Sequence, residues 1–143
     1  MVLSHVQLYK SATMDITIDI SVLIAVVGNE PSRNRAIEHT AGHSLVAPSS
    51  VHWEIGNALS AMLKRKRIVL AQAQACIDAF LGIPIRLIDV DLKQSLVLAE
   101  QLRIYAYDAY LIACAAQLGT PLLTLDRSLQ AAARSAGINV LEI

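Results

Sequence analysis

Short apolar runs of two kinds alternate along the chain. Asp15-Ile16-Thr17-Ile18 alternates polar and apolar, so Ile16 to Ile18 reads as a strand. Ser21 to Val27 reads as a helix that Gly28 stops, and Pro31 opens a second one through Arg35 and Ile37, closed near Gly42. Ser44 to Ala47 is a strand ended by Pro48. Ser49 or Ser50 can cap a helix running to about Arg65, with Val51, Ile55, Leu59 and Met62 on one stripe. A further helix covers roughly Leu70 to Leu81, and Ile85 to Ile88 is a strand. Asp91 to Arg103 has helical spacing through Leu92, Leu96 and Ala99. Asp108 to Leu118 is a strongly apolar helix with Gly119 as its stop. Leu122 to Leu125 reads as a buried strand, Arg127 to Ala136 as an Ala-rich helix, and Ile138 to Leu141 as a last strand. Aliphatic strands alternating with helices predict a three-layer α/β/α sandwich around a mainly parallel central sheet. The pattern predicts a single domain over residues 14–143. Residues 1–13 are weakly patterned and read as an N-terminal extension or tail, with Met14 as a candidate start, or as an ordinary short strand or arm.

Composition narrows the class. A chain of 143 residues suits one domain with its own core. Hydrophobic residues make up 55%, and one Trp, one Phe and four Tyr leave that core mostly aliphatic. This excludes intrinsic disorder. The longest apolar runs, Val22 to Val27 and Tyr110 to Ala116, are too short to span a bilayer. His5, Gln7 and Lys10 interrupt any signal-peptide layout. Cys76 and Cys114 lie in Ala-rich helical surroundings and read as free thiols, which suits a reducing cytoplasm. Twelve basic residues balance twelve acidic ones. A zero net charge argues against nucleic-acid binding by bulk charge, but leaves room for a local basic patch.

Four carboxylates change this picture. Asp19 follows the first strand, Asp126 follows the fourth, Glu54 lies near the start of the Ser50 helix, and Asp108 opens the most apolar helix. In open α/β sheets, sites form at the carboxyl ends of strands. Each Asp can also cap the helix after it, and Glu54 can sit solvated near a positive helix end. Together they are harder to explain as caps, because only Arg127 neighbours any of them among the basic residues. Unpaired buried charge is costly. An oxygen-only donor set selects Mg²⁺, with Mn²⁺ as a substitute. Zinc is disfavoured: His5, His39, His43, His52 and the two cysteines have no ligand spacing. Carboxylates that hold Mg²⁺ suit phosphodiester hydrolysis, in which the ion polarises a phosphoryl oxygen and activates water. Clustered like charges also raise one another's pKa until a cation neutralises them.

The same residues carry a family likeness. Thr17-Ile18-Asp19-Ile20-Ser21-Val22-Leu23 resembles the first motif of PIN domains, and the run from Ala47 through Glu54 to Leu59 resembles the second. Tyr107-Asp108-Ala109-Tyr110-Leu111-Ile112-Ala113 resembles the third, and Leu123-Thr124-Leu125-Asp126-Arg127-Ser128-Leu129 the fourth. Order, spacing and length all agree, most closely with VapC-type toxins of prokaryotic toxin–antitoxin pairs. Two departures are visible: Ile20 stands where the family usually has a small residue, and the segment before Met14 is longer than is typical.

The resemblance implies a Mg²⁺-dependent endoribonuclease. Asp19 and Asp108 would be the more direct metal ligands, while Glu54 and Asp126 would ligate the ion or orient its water. Ser21 and Thr124 match small hydroxyl positions that support the ligands. Asn57, one helical turn from Glu54, is a supporting candidate or a plain surface amide. The resemblance also implies a homodimer and a VapB-like antitoxin partner. A housekeeping PIN nuclease of RNA processing and a silent PIN-like RNA- or protein-binding module are the alternatives; filled acidic positions argue against the second. Lys64-Arg65-Lys66-Arg67 is the one basic cluster, a candidate for RNA phosphates or simply a solvated helix end. Arg33 and Arg35 are weaker candidates of the same kind. Assigning four acids to one pocket leaves 8 acidic against 12 basic residues, or +4, for the rest of the chain.

Overall fold

The computed structural model describes residues 13–143. The extension expected over residues 1–13 therefore lies, apart from Thr13, outside the described residues. Five strands form one sheet: β1 (Asp15–Ile18), β2 (Ser44–Pro48), β3 (Ile85–Ile88), β4 (Leu122–Leu123) and β5 (Val140–Leu141). Their order is β3-β2-β1-β4-β5 and every pairing is parallel. Among the described residues seven helices accompany them: α1 (Ile20–Val27), α2 (Arg33–Thr40), α3 (Val51–Lys64), α4 (Leu70–Leu81), α5 (Leu92–Leu102), α6 (Ala106–Leu118) and α7 (Arg127–Ser135). Among the described residues no helix is long and apolar enough to cross a membrane.

Strand alternation divides the core between two faces. Ile16, Ile18, Ala47 and Leu123 pack with Val22 and Leu23 of α1, Val51, Ile55 and Leu59 of α3, and Phe80 of α4. Leu122 faces the other way, onto Leu111 and Ile112 of α6 and Leu129 and Ala133 of α7. These are the outer layers of the expected sandwich. Thr17, opposite in phase to Ile16 and Ile18, faces α6 and is fully buried. Its Oγ1 lies 2.7 Å from Thr120 Oγ1 and 3.8 Å from Cys114 Sγ, so its hydroxyl is satisfied without water.

Three expectations need correction. The spacing through Leu92, Leu96 and Ala99 predicted the buried stripe of α5, but Leu92 and Leu96 are both 64% exposed. Ser95 is buried instead, and Leu98 and Leu102 pack against α6 and α7. The buried face follows the i, i+3, i+7 set that starts at Ser95. Asp108 does not open or cap its helix. Tyr105 holds the cap position and Asp108 lies in the first turn. Finally, β4 ends at Leu123, two residues early. There the amides of Leu125 and Asp126 bind side-chain hydroxyls of the site, at Ser21 and Thr124.

The chain runs from β1 toward β2 and β3 on one side, and reaches β4 and β5 on the other. The switch in strand order falls between β1 and β4. In such sheets the crevice outside the strand ends at this point is where ligands bind.

Candidate active site

Asp19 stands at the switch point, directly after β1, and is 5% exposed. It caps α1: Oδ1 accepts from the Ile20 amide at 2.7 Å. Oδ2 accepts from Ser21 Oγ at 2.8 Å and from Thr124 Oγ1 at 2.7 Å. The cap and site readings are therefore compatible. An ionised carboxylate offers about four acceptor positions, and three of Asp19's are used within the protein.

Thr124 ties β1 to β4. It is fully buried, donates to Asp19, and accepts from the Asp126 amide at 3.0 Å. Ser21 Oγ lies 3.3 Å from Thr124 Oγ1 and accepts from the Leu125 amide at 3.0 Å. The two hydroxyls thus hold Asp19 and shape the turn that carries Asp126. Thr124→Val keeps the side chain's shape but removes one of the two hydroxyl donors to Asp19 Oδ2 and leaves the Asp126 amide without its acceptor. It is expected to cost about 1–3 kcal/mol in a denaturant titration, with Thr124→Ser close to the parent.

The other three carboxylates differ in their setting. Glu54, in the first turn of α3, accepts from Ser50 Oγ at 3.0 Å through Oε2. Ser50 holds the cap position, but its hydroxyl serves Glu54 rather than the helix backbone. Burial pushes the Glu54 carboxyl's pKa up; the Ser50 hydrogen bond opposes this, and the charges of Asp19 and Asp108 add to the rise. Burial likewise raises the pKa of Asp108, and Asp19 and Asp126 raise it further. Asp126 moves the other way. The Ser128 hydroxyl, 2.7 Å from Oδ1, lowers its pKa against some burial, and the Leu129 and Ser128 amides help. Asp126 therefore does cap α7.

Glu54 thus feels the charges of Asp19 and Asp108, and Asp108 those of Asp19 and Asp126. Among the described residues the ion pairs are Arg86–Asp15 and Arg134–Glu142, and neither involves the four. The donor set fits a hard divalent cation in type and in charge. The side chains are not converged on one point, however: among the described residues no three His, Cys, Asp or Glu groups stand in ligating positions.

The remaining expected residues lie at varying distances from this centre. Exposed Asn57 lines a small cavity of about 190 Å³ together with Ile20, Trp53, Glu54, Ala58 and Tyr107. Ile20 is thus an apolar wall of the cleft. Lys64 ends α3, and Lys64 to Arg67 are all exposed. They lie about 15 Å along the helix axis from Glu54, given about 1.5 Å per residue, so they are not brought among the carboxylates. Arg33 is a strap: its Nε donates to the Val26 carbonyl at 3.2 Å. Arg35 is exposed.

Sequence reasoning did not single out Trp53 or Tyr107, which are 75% and 56% exposed beside Glu54. Their signal was present, because each directly precedes an acidic residue of the site in a chain poor in aromatics.

The sequence matches the PIN domain family over residues 16–135. The chain belongs to the PIN domain family. No curated protein matches it significantly. Among solved structures it is similar to PAE2754 from Pyrobaculum aerophilum, at 24% identity and a TM-score of 0.66, covering 85% of this chain and 87% of that one. It is also similar to VapBC2 from Rickettsia felis, solved bound to a DNA fragment from their promoter, at 18% identity and a TM-score of 0.62 over 90% and 98% of the two chains. A third is Mycobacterium tuberculosis VapC20, described as a sarcin-ricin loop cleaving toxin, at 16% identity and a TM-score of 0.62 over 90% and 99%. At these identities the likeness is one of fold.

Proposed function

We propose that the chain is a divalent-cation-dependent endoribonuclease of the VapC toxin type, acting as a cytoplasmic homodimer silenced by a VapB-like antitoxin. One observation carries the reading. Asp19 and Asp126 follow β1 and β4 beside the switch point, Glu54 and Asp108 in the first turns of α3 and α6 feel the charge of Asp19, and among the described residues no ion pair involves any of the four. The solved neighbours named as VapBC2 and as a loop-cleaving VapC toxin support it.

In this reading Asp19 and Asp108 hold Mg²⁺, or Mn²⁺ in its place, and Glu54 and Asp126 complete the shell. When bound, the ion supplies Lewis-acid polarisation of the phosphoryl oxygen and a lowered pKa for the attacking water. Ser21 and Thr124 keep Asp19 aimed into the cleft. Glu54 suits proton exchange, since its Oε2 is held by Ser50 and its carboxyl has a raised proton affinity. The exposed leucines of α5, Leu92 and Leu96, suit burial between two copies.

Lys64 to Arg67 bind RNA phosphates in this account. Lys64→Ala with Arg65→Ala is expected to raise KM, leave kcat nearly unchanged, and flatten the salt dependence of binding by about one unit of slope per lost contact. Sequencing of RNA 5′ ends after induced expression tests the whole reading. New ends at a defined site are expected with the parent chain. Ends that also form with Asp108→Asn would overturn it.

A further inference from the structure

We propose that Trp53 and Tyr107 form an aromatic clamp that stacks an unpaired RNA base next to the cleavage point. This rests on the ribonuclease reading above and names a part of its substrate grip. The two rings come from different helices, Trp53 from α3 and Tyr107 from α6, and line the same small cavity as Glu54. Both side chains are far more exposed than large aromatics usually are. Each is nevertheless braced by a ring on its own helix. His52 meets Trp53 edge to face at 4.7 Å, and Tyr110 meets Tyr107 edge to face at 5.8 Å. Exposed aromatics held in this way are a platform waiting for a flat partner.

Charge selects that partner. Carboxylates offer a phosphate no partner except through a cation, whereas a neutral base can stack on the rings beside Glu54 without one. Along α3, at 100° per residue, Glu54, Ala61 and Arg65 fall close to one line, with Trp53, Asn57 and Lys64 to one side. Small Ala58 and Ala61 leave that face low between the acidic end and the basic end. A single strand lying on it would place a base between Trp53 and Tyr107 and phosphates at Lys64 and Arg65. Stacking of this type tolerates any base, because each has a π face.

Trp53 is the only tryptophan, so its fluorescence reports on the clamp directly. The full chain carrying Asp108→Asn, with Mg²⁺ present, is titrated with a short single-stranded RNA and with an abasic strand of equal length. The base-bearing strand is expected to quench Trp53 and to bind at least about tenfold more tightly. Tyr107→Ala is expected to remove most of that preference, while Tyr107→Phe keeps it. Equal affinity for the two strands, or a preference unchanged by Tyr107→Ala, overturns the clamp. A parallel cleavage assay of the chain with Asp108 intact separates the two claims. RNA cleavage without base preference sinks the clamp alone, whereas no cleavage and no binding sink the ribonuclease reading with it. Cleavage kinetics that survive both Trp53→Ala and Tyr107→Ala would assign the rings to a protein partner instead, and also overturn the clamp.

Discussion

Asp108→Asn is expected to abolish RNA cleavage while making the metal-free protein more stable. The two effects have one cause. Asp108 is held in a partly buried place where its charge is disfavoured by desolvation and by Asp19 and Asp126. Among the described residues no ion pair offsets this. An amide of the same shape removes the repulsion but coordinates a cation poorly. Loss of a metal-supporting partner costs about 10–100-fold in activity, and loss of a direct ligand should exceed about 100-fold. Asp19→Asn is expected to lose activity as severely. Its stability should not rise in the same way, because Asp19 accepts three hydrogen bonds that an amide cannot all accept. The check is a cleavage rate and a thermal melt in chelator for both variants. Inactive Asp108→Asn protein that melts well below its parent would contradict the account of the cleft.

The second expected result is a metal-dependent change in how stability varies with pH. Glu54 and Asp108 have folded-state pKa values above their ordinary ones of 4.5 and 3.8. Their protonated forms are therefore favoured in the fold. That contribution is full below the ordinary values and is lost as pH rises through the raised ones. Asp126 is opposite in sign: its contribution exists above 3.8 and fades as pH falls through its lowered value. Metal-free protein should thus lose stability from mildly acidic pH toward neutrality. Mg²⁺ or Mn²⁺ should reverse this, since a cation bound only by the folded state stabilises it by about 2.7 kcal/mol at a hundred times its Kd. For a domain of this size that is on the order of 5–10 °C. Melts across pH with and without Mg²⁺ measure it directly. A melting temperature indifferent to the ion at neutral pH would contradict a cation site.

The sheet was legible in the sequence because its strands are short aliphatic runs, such as Ser44 to Ala47, although β2 runs on through Pro48, expected to end it, and pairs it with Ile88. The site was legible because carboxylates at strand ends are conspicuous when no basic neighbour explains them. What sequence spacing could not supply was phase and tertiary substitution. On α5 two leucine stripes were available, and only contact with α6 selected the one through Leu98 and Leu102. At β4 the alternation continued through Leu125, yet the amides beyond Leu123 bind Ser21 and Thr124, and these bonds link segments more than a hundred residues apart. The start of α6 was misplaced because Ala106 and Tyr107 join the helix before Asp108, which leaves the Asp inside the first turn. The aromatic walls were missed for a similar reason: exposure is a property of the assembled cleft.

Balanced charge also has a structural meaning. Four of the acids that offset the basic residues lie just after β1 and β4 and in the first turns of α3 and α6, and Lys64 to Arg67 stand at the far end of the helix that carries Glu54. A strand of RNA would meet separated fields of opposite sign along a single helix.

The most direct measurement is cleavage of a single-stranded RNA by the purified chain across a Mg²⁺ titration, with chelator added and then overcome by excess ion. The account predicts cutting that appears with Mg²⁺, stops in chelator, returns with excess ion and is absent in Asp108→Asn. Cutting that persists in chelator or in Asp108→Asn, or no cutting with either Mg²⁺ or Mn²⁺, would contradict it.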